Sequence, residues 1–242
     1  MGKLIAAECF KLRKSVGYKV LLLCALGFGL LSGFMTTFFI QDILPAEIDI
    51  GGLINGSLML STMMIDPQTN SILLSIFAAV FLCVEFSDRT YGMALYSGAS
   101  RTRILLSKLV VYLLASLPII VLGPAGATLI ATARNGFGAV PDTLLLLCLR
   151  FLLASLAIAG FSAMIAMLVK NTGGTIGANI GIMMGLTVLN AFPKLEPVTR
   201  YSFMYQATRI AAGDWLFHAV IAATLAASLV LGLYLFNKAE LK

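Results

Sequence analysis

The sequence predicts an all-α integral membrane protein with six transmembrane helices. Three observations support this prediction. Of the 242 residues, 60% are hydrophobic and only 12% are charged, and the mean hydropathy is +0.97. A soluble domain of this length needs more charge to cover its surface. Apolar runs also recur at about the 20-residue length of a membrane span, and the basic residues are distributed unevenly between them.

The N-terminal residues 1–19 are predicted to form an amphipathic helix that lies in the membrane interface. The alternative is that these residues are only the basic end of the first span. No small-residue cleavage site follows, so a signal peptide is not predicted. Three lysines are expected to face lipid phosphates, and these are Lys3, Lys11 and Lys14. Four side chains at helical spacing would form the apolar face, and these are Ile5, Cys9, Leu12 and Val16.

Residues 20–242 are predicted to form a single six-helix transmembrane domain. The second apolar segment is short unless Met63–Ile65 extend it, and the third is interrupted by Pro118, Gly123 and Pro124. In chain order the six segments are about Val20–Ile40, Asn70–Val84, Ile104–Ala133, Leu144–Val169, Gly174–Phe192 and Trp215–Phe236.

The distribution of positive charge predicts the orientation. With the N-terminus in the cytoplasm, 12 of the 17 Lys and Arg residues lie on the inner side. The segment from Gln41 to Pro67 contains no Lys or Arg, which favours an outer position. Both termini are then cytoplasmic and the number of spans is even. The pI of about 9.3 reflects attraction to anionic inner-leaflet lipid, so nucleic acid is not an expected partner.

The four cysteines do not form a CxxC motif, and no disulfide framework is predicted. Three of them lie inside apolar runs. We therefore expect Cys9, Cys24, Cys83 and Cys148 to behave as small buried hydrophobic residues.

The connection "EFSDRTYGMALYSGASRTRILLSK", from Glu85 to Lys108, is unusually polar for this chain. The positive-inside rule explains its arginines but not Glu85 and Asp88, which must be solvated or paired at the membrane edge. A short helix is predicted over Met93–Gly98, with Gly98 as its stop. A helix of this kind, lying flat beneath the membrane, is suited to dock into a groove on a soluble partner.

The connection resembles the loop between the second and third spans of ABC-2-type transporter permeases. These are membrane subunits of bacterial ATP-binding-cassette exporters. Thr90 precedes Gly92 here, whereas the family has the reverse order. The basic N-terminal helix, the six spans and a polar segment between the last two extend the resemblance. The pattern consists of Glu85, Arg89-Thr90-Tyr91-Gly92, an apolar turn, Ser97, Ser100-Arg101 and Lys108.

The resemblance implies a small permease of the peptide or lantibiotic export or immunity kind, in the bacterial cytoplasmic membrane. Two permease copies, expected to be identical, would each dock a coupling helix, within a loop at 85–103, into a separate nucleotide-binding ATPase subunit. ATP and Mg would bind that subunit, and this chain would hold no cofactor and have no catalytic residue. Glu85 is expected to pair with Arg89 or Arg101. The residues implied in coupling are Glu85, Asp88, Arg89, Thr90, Gly92, Met93, Leu95, Tyr96 and Arg101.

No G-x-x-x-x-G-K-[ST] phosphate-binding loop occurs in the sequence, which agrees with an ATPase on another polypeptide. An intramembrane metalloprotease is excluded because His218 is the only histidine. A gradient-driven secondary transporter or channel is the remaining alternative. It is disfavoured because the middle of each predicted span lacks Asp and Glu. The apolar lining favours an amphipathic or hydrophobic cargo, such as an antimicrobial peptide.

Glycines recur every fourth residue in the fifth segment and would lie on one helix face. That face is expected to be a dimer seam, a sliding surface or an intrachain packing surface. Gly29 and Gly33 offer a smaller surface of the same kind. The glycines of the fifth segment are Gly173, Gly177, Gly181 and Gly185.

The outer segment 193–214 is expected to contain a short re-entrant or interfacial helix, either a lid on the exit or an aromatic anchor. The gate candidates are Arg200, Tyr201, Tyr205 and Arg209, and the last three would share a helix face. Arg150 is expected to reach the outer headgroups, or to face a polar cavity or an acid. His218 is expected to pack at the interface, and no metal site is predicted.

Overall fold

The computed structural model describes residues 2–39, 54–65, 67–87 and 100–238, and the regular secondary structure of these residues is helical throughout. Two π-helical stretches, Met35–Phe39 and Ala79–Cys83, continue the preceding α-helices, and a 3₁₀ turn covers Pro193–Leu195. The α-helices are α1 (Gly2–Lys14), α2 (Val16–Phe34), α3 (Gly56–Ile65), α4 (Gln68–Ala78), α5 (Val84–Ser87), α6 (Arg101–Asn135), α7 (Leu144–Val169), α8 (Thr172–Asn190), α9 (Glu196–Thr199), α10 (Phe203–Ala207) and α11 (Trp215–Lys238).

Among the described residues, five helices are long and apolar enough to cross a membrane. They are α2, α6, α7, α8 and α11, and they confirm the first, third, fourth, fifth and sixth predicted segments as helices. A sixth candidate is a bent pair, in which Gly56–Ile65 and Asn70–Phe86 meet at 58°. Met63–Ile65 therefore do not extend the second segment as one straight helix. Pro67 lies at the bend, where its missing N–H favours a helix boundary.

Helix α6 continues through Pro118 and Pro124 over 35 residues, so the expected interruption of the third segment is wrong. A proline cannot donate to the carbonyl four residues before it. The Ile120 carbonyl, which loses its donor at Pro124, accepts a hydrogen bond from Asn70 Nδ2 at 3.4 Å. One turn before Pro118, the Tyr18 hydroxyl donates to the Ala115 carbonyl at 3.0 Å. Neighbouring helices thus supply donors to the carbonyls near both prolines.

Helices α2 and α6 approach each other closely at two glycines of α2. A Cβ atom at Gly29 would lie 2.0 Å from the Gly123 carbonyl oxygen, and one at Gly33 would lie 2.7 Å from the Ala127 carbonyl oxygen. Because these obstacles are backbone atoms, no side chain fits at either position. The small surface that the sequence indicates at Gly29 and Gly33 is therefore used within the chain.

Aromatic and small residues fill the core between α4, α6 and α7. The rings of Phe77 and Tyr112 stack with centroids 5.0 Å apart. The Tyr112 hydroxyl lies within hydrogen-bonding distance of the carbonyls of Leu74 and Ala159. Since Tyr112 is fully buried, these contacts join three helices at one level of the bundle.

The cysteines meet the prediction only in part. All four are free thiols. Cys83 is buried, and its sulfur lies 3.2 Å from the Thr175 hydroxyl. Cys9 and Cys24 are exposed, so for these two the prediction of burial is wrong. Both lie on helix faces that look away from the rest of the described chain.

Helix α1 ends at Lys14, and the Ser15 hydroxyl caps α2 by accepting a hydrogen bond from the Tyr18 N–H at 3.3 Å. Val16 therefore belongs to α2, and the apolar face predicted through it is wrong. Cys9 is exposed, and the most buried residue of α1 is Glu8. An acid takes this position because it has charged partners on the neighbouring helices, as described below.

Candidate functional site

Four charged side chains from three helices, α1, α5 and α6, meet in the structure. We call Glu8, Lys11, Glu85 and Lys108 the ionic cluster. Lys108 Nζ lies 2.8 Å from Glu8 Oε2 and 2.7 Å from Glu85 Oε1. Lys11 Nζ lies 3.0 Å from Glu8 Oε1 and 3.2 Å from Glu85 Oε1. Each lysine therefore bridges both carboxylates.

Burial makes the ionic cluster unusual. The Lys108 side chain is only 1% exposed, and its ammonium lies 5.1 Å from the centroid of the Phe81 ring. An ammonium removed from water is stabilised only if opposite charges and hydrogen bonds replace its hydration. The two carboxylates provide that replacement, and the four formal charges sum to zero. Removing one partner would leave an uncompensated buried charge.

The titration of Glu8 and Lys11 follows from this geometry. Burial alone would raise the pKa of Glu8, but the ammonium groups of Lys108 and Lys11 hold this pKa below its usual range. Burial alone would lower the pKa of Lys11, but hydrogen bonds and attraction from Glu8 and Glu85 raise it. Each group is therefore stabilised in its charged form.

Local helix geometry presents the two charges of α1. Glu8 and Lys11 are three residues apart, so their side chains share a face of the helix. Lys108 lies two turns inside α6, and Glu85 lies in the short helix α5. The ionic cluster thus ties α1 to the helix that precedes the connection and to the helix that follows it.

A cavity of about 200 Å³ lies beside the ionic cluster. Glu8, Lys11 and Glu85 form its charged end, and Ser15 also lines it. The rest of its wall is apolar and comes from α1, the start of α2 and the segment from α4 to α5. The apolar residues are Leu12, Tyr18, Phe77, Val80, Phe81 and Val84.

The residues expected to couple with a partner are described only at the ends of the connection. Arg101 is the first residue of α6. Among the described side chains, the partners of Glu85 are Lys108 and Lys11. The side chains of Arg89 and Arg101, the partners expected from the sequence, lie outside the described part of the chain, so that pairing stays a prediction. The remaining coupling residues lie outside the described part of the chain, and these are Asp88, Arg89, Thr90, Gly92, Met93, Leu95 and Tyr96.

Sequence reasoning missed the roles of Glu8, Lys11 and Lys108 as a group. Two signals could have indicated them. Glu8 is the only acidic residue of the basic helix α1, and Lys108 lies seven residues inside a helix that continues as an apolar run. Charges in such positions require partners. The sequence does not identify the partner, because Glu8 and Lys108 are 100 residues apart.

The glycine stripe of α8 faces away from the rest of the described chain. Gly173, Gly177, Gly181 and Gly185 are exposed. A Cβ atom at any of the last three would meet no described atom within 4 Å. The opposite face of α8 is buried through Thr175, Asn179 and Met183. Within the described ranges no other helix therefore packs against this stripe, and a dimer seam, a sliding surface and an intrachain packing surface all stay predictions.

The outer segment forms a 3₁₀ turn and two short helices, α9 and α10, separated by a break at Ser202. Because of this break, the single helix face expected for Tyr201, Tyr205 and Arg209 does not exist. Tyr201 is exposed, whereas Tyr205 is buried. Arg209 Nη2 lies 3.2 Å from Glu196 Oε1, and its guanidinium lies 4.8 Å from the Tyr205 ring centroid. We call Glu196, Tyr205 and Arg209 the outer network, and the Tyr205 hydroxyl donates to the same carboxylate oxygen.

Arg200 and Arg150 also make local contacts in this region. The Arg200 guanidinium lies 4.8 Å from the centroid of the Tyr201 ring. Arg150 donates to the carbonyls of Ile210 and Gly213 at 3.2 Å. A Cβ atom at Gly213, where φ is +57°, would lie 1.7 Å from the guanidinium carbon, so this contact requires glycine. Arg150 therefore links α7 to the outer segment by hydrogen bonds to backbone carbonyls. The sequence does not indicate this role.

His218 lies in the first turn of α11. Its Nδ1 is 3.1 Å from the Asp214 carbonyl oxygen, and its ring meets Phe217 edge to face. Among the described residues, no group of three or more His, Cys, Asp or Glu side chains could hold a metal ion. Comparison of the sequence with protein-family models and with curated proteins gives no match.

Proposed function

We propose that this chain is the transmembrane permease subunit of an ATP-binding-cassette exporter, powered by a separate ATPase subunit. The resemblance of the Glu85–Lys108 connection to the coupling loop of ABC-2-type permeases suggests this function. The ionic cluster is the observation that carries the proposal. It joins α1 to α5 and α6 through Glu85 and Lys108, the two ends of that connection, with Lys108 buried between Glu8 and Glu85.

In this proposal, the ATPase moves the cytoplasmic connection, and this movement is transmitted to the membrane domain through the three helices α1, α5 and α6. A displacement of residues 88–100 pulls on α5 and on α6, since these helices are continuous with its two ends. Separating Lys108 from its carboxylates would leave buried charges, at a cost of about 3–5 kcal/mol. The helices α1, α5 and α6 are therefore expected to move together and not to separate.

The remaining parts of the proposal follow from the same scheme. Residues from Asp88 to Tyr96 contact the ATPase, which binds ATP and Mg. Two copies of the chain form the exporter in the bacterial cytoplasmic membrane, with both termini cytoplasmic and α8 as a candidate seam. The segment with α9 and α10 is a candidate outer gate. The cargo is an amphipathic or hydrophobic molecule, with an antimicrobial or amphipathic peptide as one candidate.

A gradient-driven secondary transporter or channel is the second candidate function, and one observation favours it. The ionic cluster is a buried set of titratable groups next to a cavity, as in carriers that move protons. The two functions differ in energy source. ATP drives the first through a partner, whereas an ion gradient drives the second without one.

The test is co-purification of the tagged full chain from its native host, followed by an assay of Mg-dependent ATP hydrolysis. We expect the isolated chain to hydrolyse no ATP and the complex to hydrolyse it. Arg89→Ala and Tyr96→Ala should reduce ATPase recovery or turnover, while Arg13→Ala on the exposed side of α1 should not. Unchanged recovery and turnover in both connection variants, or ion uptake by proteoliposomes without any ATPase, would contradict the proposal.

A further inference from the structure

The cavity beside the ionic cluster has an apolar wall and a charged end. The walls come from residues such as Leu12, Phe77 and Val80, and the charged end contains Lys11 and Glu85. Helix α1 lies outside the spanning candidates, and the first of these begins at Val16. The cavity therefore lies where the spans begin, with its charges on the side of α1. A phospholipid has the same arrangement, with chains inside the membrane and charges at its surface.

The two charges that remain accessible are of opposite sign. The Lys11 side chain is 58% exposed. Its ammonium has three N–H donors, and the two carboxylates account for two of them. The contacts of Glu85 with Lys11 and Lys108 are made through Oε1, at 3.2 Å and 2.7 Å. Within the part of the chain that the structure describes, a third N–H of Lys11 and the second oxygen of Glu85 thus remain for a ligand beside the same cavity.

A zwitterionic headgroup complements this pair of charges. A lipid phosphate can accept a charge-assisted hydrogen bond from Lys11, and a primary ammonium can donate one to Glu85. A trimethylated amine has no N–H and cannot make the second bond. An anionic headgroup without an amine could also place its phosphate on Lys11, but it would add a negative charge near Glu85 without the ammonium that neutralises this charge in the zwitterion.

The volume of the cavity limits what enters it. At about 200 Å³ it is smaller than the roughly 300–1,000 Å³ of pockets that enclose a whole drug-sized ligand. One section of a single acyl chain fits this volume, while the headgroup and the second chain stay outside. We propose that this cavity binds an acyl chain of a phosphatidylethanolamine-type lipid, with its phosphate on Lys11 and its ammonium on Glu85. The proposal does not depend on the energy source of the protein.

The first test compares headgroups on identical acyl chains. The detergent-purified full chain is titrated with phosphatidylethanolamine, phosphatidylcholine or phosphatidylglycerol, and bound lipid is counted by native mass spectrometry. We expect phosphatidylethanolamine to be retained about tenfold more tightly than phosphatidylcholine, since only its amine can donate to Glu85. Equal retention of these two lipids, or tighter retention of phosphatidylglycerol, would overturn the proposal.

The second test fills the cavity. Val80 lies on its wall, whereas Val121 is exposed on α6, away from it. Val80→Phe should abolish the preference for phosphatidylethanolamine, and Val121→Phe should preserve it. Gel filtration and thermal unfolding of both variants monitor folding. Retained preference in a folded Val80→Phe protein would overturn the assignment of the lipid to this cavity.

A third measurement uses the unmodified protein, so it does not depend on the folding of a variant. Phosphatidylethanolamine with a photoreactive group in its acyl chain is cross-linked to the full chain, and the labelled peptides are identified. Labelling should concentrate on peptides that contain Tyr18 and the Phe77–Val84 stretch. Labelling spread evenly over the lipid-facing helices would contradict the proposal. Competition gives a second check: the proposal is also contradicted if a lysine-rich amphipathic peptide reduces the labelling more than unlabelled lipid does.

Discussion

The ionic cluster and the outer network both pair basic side chains with carboxylates, but in opposite surroundings. Lys108 is 1% exposed and lies 2.7 Å from Glu85 and 2.8 Å from Glu8. In the outer network, Arg209 is 54% exposed and Glu196 is 51% exposed, with 3.2 Å between their atoms. The distances differ little, so the main difference is the access of solvent to the charges.

This difference decides what each network can do. An exposed pair gains about 0–1 kcal/mol, since water solvates the separated groups almost as well. A buried pair that loses one partner costs about 3–5 kcal/mol. The ionic cluster is therefore expected to hold three helices in a fixed arrangement, whereas the outer network only orients two short helices that water and headgroups can also solvate.

The largest expected effect is that of Lys108→Met. This change leaves Glu8 and Glu85 partly buried with Lys11 as their remaining partner in the cluster. We expect the free energy of unfolding in detergent to fall by about 3–5 kcal/mol. Chemical denaturation followed by circular dichroism measures it. Lys3→Met is the control, because Lys3 is exposed on α1 and lies outside the cluster.

An equal loss in Lys3→Met and Lys108→Met would contradict the special role of the buried lysine. A small loss of unfolding free energy in both variants would show that Glu8 and Glu85 are stabilised almost as well without Lys108. Either outcome would remove the contrast with the outer network.

The second expected effect is a coupling energy between Glu8 and Lys108. Glu8→Gln and Lys108→Gln each remove one of the two charges of this contact and leave the other with one partner fewer, and the double variant removes both charges. The double variant should therefore lose less stability than the two single variants added together. We expect a coupling of about 1–3 kcal/mol from this double-mutant cycle. Additive losses would mean that the 2.8 Å contact contributes nothing of its own.

The third expected effect is a dependence of stability on pH. The pKa of Glu8 is lowered in the folded protein by Lys108 and Lys11, against the effect of burial. Its contribution is therefore complete above the unfolded pKa of about 4.3 and is lost as pH falls through the folded value. The pKa of Lys11 is raised, so its contribution is complete below about pH 10.4 and is lost above the folded value.

Thermal unfolding measured from pH 3 to pH 11 would therefore give a plateau with a fall at each end. Glu8→Gln should reduce the fall on the acid side, and Lys11→Gln should reduce the fall on the alkaline side. An acid limb that is identical in the wild-type protein and in Glu8→Gln would contradict the link between Glu8 and the cluster.

The sequence predicts the long helices well and the contacts between them poorly. The sequence predicts the fourth segment over Leu144–Val169, and α7 has these bounds. Helix existence follows from local hydrophobicity, which a single segment carries. The continuity of α6 at Pro124 depends instead on Asn70, a residue from another helix, and no local pattern contains this information.

The two glycine patterns illustrate the same limit for the candidate sites. Gly29 and Gly33 repeat with a spacing of four, as Gly177 and Gly181 do. The first pair contacts the backbone of α6, whereas the second pair faces away from the described chain. The spacing predicts only that one face of the helix carries no side chains at these positions. Which helix covers it depends on the arrangement of the whole bundle.

The smallest expected effect is that of Arg209→Gln in the outer network. Water can solvate both Glu196 and the new amide, so the free energy of unfolding should fall by less than about 1 kcal/mol. This loss should disappear in about 1 M salt, which screens exposed charges over about 3 Å, whereas the loss in Lys108→Met should persist. Denaturation of both variants at low and high salt measures the difference. If Arg209→Gln lost as much stability as Lys108→Met, and lost it at both salt concentrations, exposure would not be what separates the two networks. The outer network would then have to be regarded as a second structural tie and not as a locally solvated contact.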